Sequence, residues 1–178
     1  YKNRKIKSVK FFDIPNYLSS WSNKNDAFLI HVSTDYVFDG KKPIDKFYSE
    51  DDKVNPLSEY GRSKLEGERI IQKNMSNFAI LRTAWLSGIH GNNFLKTMLK
   101  LCNSKNEKEI KVVNDQFGSP TSSMKLAKQI DKVYQNKLVG IYHATSEGKC
   151  TWYDFAVACV DEMNIKNITW LHGDINEL

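Results

Sequence analysis

The stretch NPLSEYGRSKLEGER, Asn55 to Arg69, decides how the rest of the chain is read. Asn55 reads as a helix N-cap and Pro56 as the first helical residue, where a missing N–H costs nothing. The helix is expected to run to about Lys73. Tyr60 and Lys64 stand four residues apart in it and therefore share a face. A free tyrosine hydroxyl titrates at ~10, too high for proton transfer at neutral pH. A neighbouring ammonium favours the phenolate and lowers that value, which would let the phenol give or take a proton near physiological pH. The other reading makes Tyr60 an anchor at the edge of the core and Lys64 part of a solvated helix face.

Outward from this helix the chain alternates. Upstream, AFLIHVS (Ala27 to Ser33) is a short apolar run of the kind that forms a buried strand, and DGKKPIDKFYSEDDKVNP reads as a loop. Downstream, FAILRTAWL (Phe78 to Leu86), IKVVND and VGIYHAT read as strands, and NITWLHG as a last one. NNFLKTMLKLC, SSMKLAKQIDKVYQN and TWYDFAVACVDEMN read as helices, the last with Thr151 as its N-cap. Before Ala27 only a weak helical pattern is visible, around Ile14 to Trp21. Alternating strands and helices predict an α/β fold with a mostly parallel sheet covered by helices. In such sheets ligands bind beyond the carboxyl ends of the strands. STDYVFDG places Ser33 and Thr34 there, so a hydroxyl, the phenol and the ammonium are expected to converge in one crevice.

Composition narrows the classes. The chain has 178 residues, 40% hydrophobic and 26% charged, enough apolar material for one core. Length alone suggests one domain. No apolar run approaches the ~20 residues of a membrane span, and the start has no secretory-leader pattern. Five of the lysines and arginines fall in YKNRKIKSVK. That run lacks interleaved aromatics, so a solvated terminus is expected and no nucleic-acid partner. Cys102, Cys150 and Cys159 form no C-x-x-C pair. Cys102 and Cys159 lie in helical apolar patterns and read as buried free thiols, in keeping with a reducing, cytoplasmic setting. The histidines show no metal-binding spacing, so no metal site is expected. His31 and His143 read as satisfied core residues.

Together, HVSTDYVFDG, NPLSEYGRSKLEGE, LRTAW, GNNFLKTML and VVNDQFGSPT closely resemble the dTDP-4-dehydrorhamnose reductases, members of the extended short-chain dehydrogenase/reductases. The resemblance covers about Ala27 to Asn164. It implies a partial Rossmann-like parallel sheet flanked by helices, with part of a smaller C-terminal substrate lobe. It implies one incomplete domain over 1–178, in which 27–86 is the later part of the dinucleotide-binding core and 87–178 is mixed core and substrate lobe. The implied reaction reduces the 4-keto group of dTDP-4-dehydro-L-rhamnose to dTDP-L-rhamnose with NADPH or NADH. The implied partner is the dTDP-sugar, with a homodimer as one form of assembly. Carried over by motif, Tyr60 is the proton donor, and Lys64 lowers its pKa and holds the nicotinamide ribose. Thr34 hydrogen-bonds the reacting carbonyl, with Asp35 beside it at the substrate. Trp85 packs near the sugar, or else simply ends a strand as a core tryptophan.

In SGIHGNNF the resemblance favours the substrate half over a dinucleotide loop. The helix start there offers free N–H groups to anionic oxygens, with Asn92 or Asn93 assisting, or Asn93 is a plain N-cap. Gln116 and Thr121, in NDQFGSPT, are placed near the substrate cleft. The family's opening G-x-x-G-x-x-G loop has no counterpart in the sequence, which is expected to be the middle and later part of a longer chain. Cofactor binding by the residues present rests on Tyr60 and Lys64, whose hydrogen bonds to one ribose contribute a net ~1 kcal/mol each, up to about 3 with a charged partner. Even millimolar affinity needs about −4 kcal/mol, so these 178 residues alone are expected to be poorly active. Two other readings remain at this point: a non-catalytic relative resembling the regulatory subunit of methionine adenosyltransferase, and an inactive fragment.

Overall fold

The computed structural model describes residues 13–104 and 109–174; the basic run at 1–10 lies outside them. In chain order the elements are α1 (Asp13–Lys24), β1 (Leu29–Thr34), a 3-10 turn (Asp35–Val37), α2 (Glu59–Asn74), β2 (Phe78–Thr83), β3 (Leu86–Ser87), α3 (Phe94–Cys102), β4 (Glu109–Val113), β5 (Phe117–Gly118), β6 (Thr121–Ser122), α4 (Ser123–Gln135), β7 (Gly140–His143), β8 (Cys150–Thr151), α5 (Trp152–Glu162) and β9 (Thr169–Gly173). Where length alone suggests one domain, contacts group the chain into two compact units: residues up to Thr83 with Gln129–Ala144, and Ala84–Lys128 with the remainder after Ala144.

The first unit holds a parallel sheet in the order β1-β2-β7. Ile71, Met75 and Ile80 form one cluster of its core, with Leu29, Phe78 and Ile141 packed against it. Val37, Phe38 and Leu65 form another beneath the loop after β1. A polar network is sealed in the same core. Glu68 is fully buried and Arg82 nearly so. Arg82 grips the carboxylate with two N–H donors, at 3.1 and 2.8 Å. Ser33 donates to the same carboxylate at 2.5 Å. A third Arg82 donor reaches the Glu50 carbonyl oxygen at 3.2 Å, and the Glu50 carboxylate accepts from the His143 backbone N–H at 2.8 Å.

The second unit is built from three strand pairs: β3-β6 and β4-β9, both parallel, and the antiparallel β5-β8. Its core joins Met98, Cys102, Ile110, Val112, Ala156 and Val160. The α/β class holds, with parallel strands and helices, but among the described residues strand pairing is divided among four small sheets instead of running through one.

Three local readings change. The cap of α2 is Ser58, whose hydroxyl accepts from the Gly61 N–H at 3.0 Å. Asn55 is tied into the preceding loop: its side chain donates to Asp39 and its N–H to the Val37 carbonyl. Pro56 therefore precedes the helix. The strand read as Phe78 to Leu86 breaks after Thr83, because Trp85 adopts φ +44, a left-handed backbone that cannot continue an extended strand. Helix α1 is fully formed, but its apolar residues Ile14, Tyr17, Leu18 and Trp21 face outward. It packs on α2 through small and polar groups. Asn74 donates to Ser19 at 2.8 Å, and Pro15 lies beside Gly67.

The two strand histidines are not satisfied as expected: the Nε2 atoms of His31 and His143 are buried without hydrogen-bond partners. The pKa of His31 is lowered to about 4, first by burial and then by the charge of Lys64, with Glu68 opposing. The unfolded chain takes up this proton near pH 6.5 and the folded chain only near pH 4. Stability present above pH 6.5 is therefore lost as pH falls through that window, by up to about 3 kcal/mol. Urea denaturation between pH 7 and 4 should show the loss, and His31→Gln should flatten it.

Gly61 supplies the second test. A Cβ there would collide with the Tyr36 carbonyl oxygen and lie 3.0 Å from the Pro56 Cβ. Backbone, not a flexible side chain, blocks the space. Gly61→Ala is expected to cost about 1–3 kcal/mol, read as a lower urea midpoint at unchanged slope.

Candidate functional site

The first two turns of α2 sit on the segment Val32–Tyr36, which closes β1. Three contacts define the seat. Lys64 Nζ donates to the Val32 carbonyl oxygen at 2.6 Å. The Tyr60 ring meets the Tyr36 ring edge-on, with centroids 6.1 Å apart. Gly61, lacking a side chain, lets the helix backbone approach the Tyr36 carbonyl. Thr34 lies midway between the two partners, two residues from each. The two contacts thus fall on either side of Thr34 along the chain, near the carboxyl end of the strand, where an open α/β sheet receives its ligands.

Each group has a distinct environment. Tyr60 is exposed. Lys64 is half-buried, and burial lowers its pKa below the usual lysine value, with the Glu68 carboxylate one turn away opposing. Thr34 is buried and caps the 3-10 turn, its Oγ1 accepting from the Tyr36 N–H at 3.2 Å. The same hydroxyl donates to Asp35 Oδ1 at 3.1 Å. Burial pushes the Asp35 carboxyl up from its ordinary value, while the hydrogen bonds from Thr34 and from backbone N–H groups pull it down. The Thr34 proton is thus held by Asp35, and Thr34 presents a hydroxyl to a ligand only if that proton turns away.

The remaining candidates belong to the second unit. Trp85 stacks on Trp152, with centroids 3.5 Å apart and planes within 10°. Asn93 caps α3: its Oδ1 accepts from the Lys96 N–H at 3.1 Å and its Nδ2 donates to the Gly88 carbonyl at 2.8 Å. Both ends of the amide are committed to the fold. Thr121 is buried, donating to the Ser119 carbonyl and accepting from the Ser146 N–H. Gln116 is half-buried and Asn92 exposed. Among the described residues no cluster could hold a metal ion, and no helix is long and apolar enough to cross a membrane. The three cysteines are free, Cys102 buried and Cys150 and Cys159 partly so.

Two contributors went unread in the sequence. Gly61 carried a signal, since a glycine inside a helical pattern points to close backbone approach. Trp152 carried none beyond its place directly after a helix cap.

The spore coat polysaccharide biosynthesis protein SpsK of Bacillus subtilis is 41% identical over 150 residues, covering 84% of this chain and 51% of its own length. The dTDP-4-dehydrorhamnose reductase of Aggregatibacter actinomycetemcomitans is 44% identical over 152 residues, covering 82% and 50%. The chain thus spans about half the length of the curated relatives it matches. A crystal structure of dTDP-4-dehydrorhamnose reductase from Bacillus anthracis, in complex with NADP, superposes with a TM-score of 0.86 at 37% identity, over 92% of this chain and 56% of that one. A family model described as the RmlD substrate binding domain matches residues 8–174. The chain belongs to the RmlD substrate binding domain family.

Proposed function

We propose that this chain serves the NAD(P)H-dependent reduction of the 4-keto group of dTDP-4-dehydro-L-rhamnose, yielding dTDP-L-rhamnose. The observation that carries the reading is the joint seat of Tyr60 and Lys64 on Val32–Tyr36, with Thr34 between them. The names of the relatives at about half their length support the same chemistry.

The residues fit the ribose end of a nicotinamide cofactor. Lys64 has three N–H donors and commits one to Val32, which leaves donors for ribose hydroxyls. NADPH or NADH supplies hydride to C4 when bound. The Tyr60 phenol gives its proton to the C4 oxygen, so the ketone gains one hydride and one proton and becomes an alcohol. The Lys64 ammonium stabilises the phenolate left behind. Thr34 turns its proton from Asp35 to the substrate oxygen and orients the carbonyl, while Asp35 accepts from sugar hydroxyls. Trp85 covers an apolar sugar face, and the N–H groups freed at the Asn93-capped start of α3 face the nucleotide's anionic oxygens. The free thiols suit a reducing cytoplasm.

Tyr60→Phe removes the transferable proton and leaves the ring and its contact with Tyr36. In the protein as expressed from its gene, turnover is expected to fall by about 100-fold or more, while NADPH binding, followed by fluorescence titration, stays unchanged. Parental turnover in this variant would refute the assignment.

A further inference from the structure

One residue outside the reacting set touches Trp85 and the residue that follows Asn93. Trp152 is the first residue of α5. It stacks on Trp85 with centroids 3.5 Å apart, and tilts against Phe94 at 4.4 Å. Phe94 directly follows Asn93, the cap of α3. Trp152 is itself fixed from both sides. The capping box of Thr151 and Asp154 starts its helix, and Thr151 also donates to Asn114 Oδ1 at 2.9 Å. Strand β8 before it pairs with β5, setting Gly118 opposite Cys150. Gly118 completes the slot: a Cβ there would lie within 2.6 Å of Trp85 Cζ2 and Nε1.

Trp85 needs this support. Its φ of +44 is a left-handed conformation, a genuine outlier for so bulky a residue. Nearly parallel rings at 3.5 Å form a face-to-face sandwich, a less favoured arrangement than an offset or edge-on pair. Backbone and ring are therefore both held against their preferences, and such strain persists where surrounding structure over-determines it, often at ligand clamps.

We propose that Trp152 is a positioning residue for the sugar nucleotide, locking the Trp85 indole and the start of α3 into one rigid surface. This rests on the substrate reading given above. The test uses the protein as expressed from its gene, with Trp152→Phe and Trp152→Leu. For the keto-sugar, KM is expected to rise by about threefold in the first and about tenfold in the second, the scale of a lost aromatic contact. kcat and the KM for NADPH should stay at parental values, a split that a loosened fold would not give. Should Trp152→Leu fail to fold, Trp152→Phe decides through the same split.

A binding arm separates the two claims. The Kd of dTDP-L-rhamnose, measured by calorimetry, should weaken in the same order. Parental binding without reduction would sink the reductase reading and leave the positioning role standing. Equal KM and Kd values in parent and variants would overturn the positioning role alone. A parent that does not bind dTDP-L-rhamnose would overturn both.

Discussion

The first unit turns on the buried pair of Glu68 and Arg82. Neither charge reaches water, so each depends on the other, and removing one partner of such a pair typically costs about 3–5 kcal/mol. The pair also fixes geometry. Glu68 points α2 inward toward Ser33 on β1 and Arg82 on β2. Glu68 thereby sets which face of α2 turns to the sheet. Lys64, one turn earlier, meets the backbone of β1, and Tyr60, one turn earlier again, lies against Tyr36, two residues beyond that strand. The rest of the grip extends through Glu50 to β7. Placement of Tyr60 and Lys64 on the end of β1 thus goes with the salt bridge deeper in the same helix face.

The second unit reaches order by other means. Its strand pairs are short, two of them only two residues long on each strand, and such pairs are marginal by themselves. Caps and aromatic contacts supply what the ladders do not. Asn93 and Thr151 each close a helix start with their own side chains. Trp85, Trp152, Phe94 and Phe155 follow one another ring to ring.

The helices and longer strands were legible in the sequence because their burial follows the simple periods. α3 and α5 bury the apolar face that spacing marks, and Thr151 caps α5 as its side chain suggests. That Tyr60 and Lys64 share the α2 face turned to the end of β1 was legible because helix periodicity puts residues four apart on one side. What escaped did so for physical reasons. α1 turns its apolar residues outward and packs through Ser19, Ser22 and Pro15, so hydrophobic spacing understates it. Ser58 outcompetes Asn55 as a cap because Asp39 and Val37 engage the asparagine. The break at Trp85 is invisible to propensity, since nothing local marks a tryptophan for a left-handed backbone. The commitment of the Thr34 proton to Asp35 depends on a rotamer that spacing does not encode.

The left-handed backbone at residue 85 sets two requirements against each other. Glycine would sit there with ease but bring no indole, and tryptophan brings the indole at a conformational cost. Glycine at this position would relax the backbone yet empty the slot between Gly118 and Trp152, so the ease gained in the chain is set against a ring contact that the second unit's packing draws on.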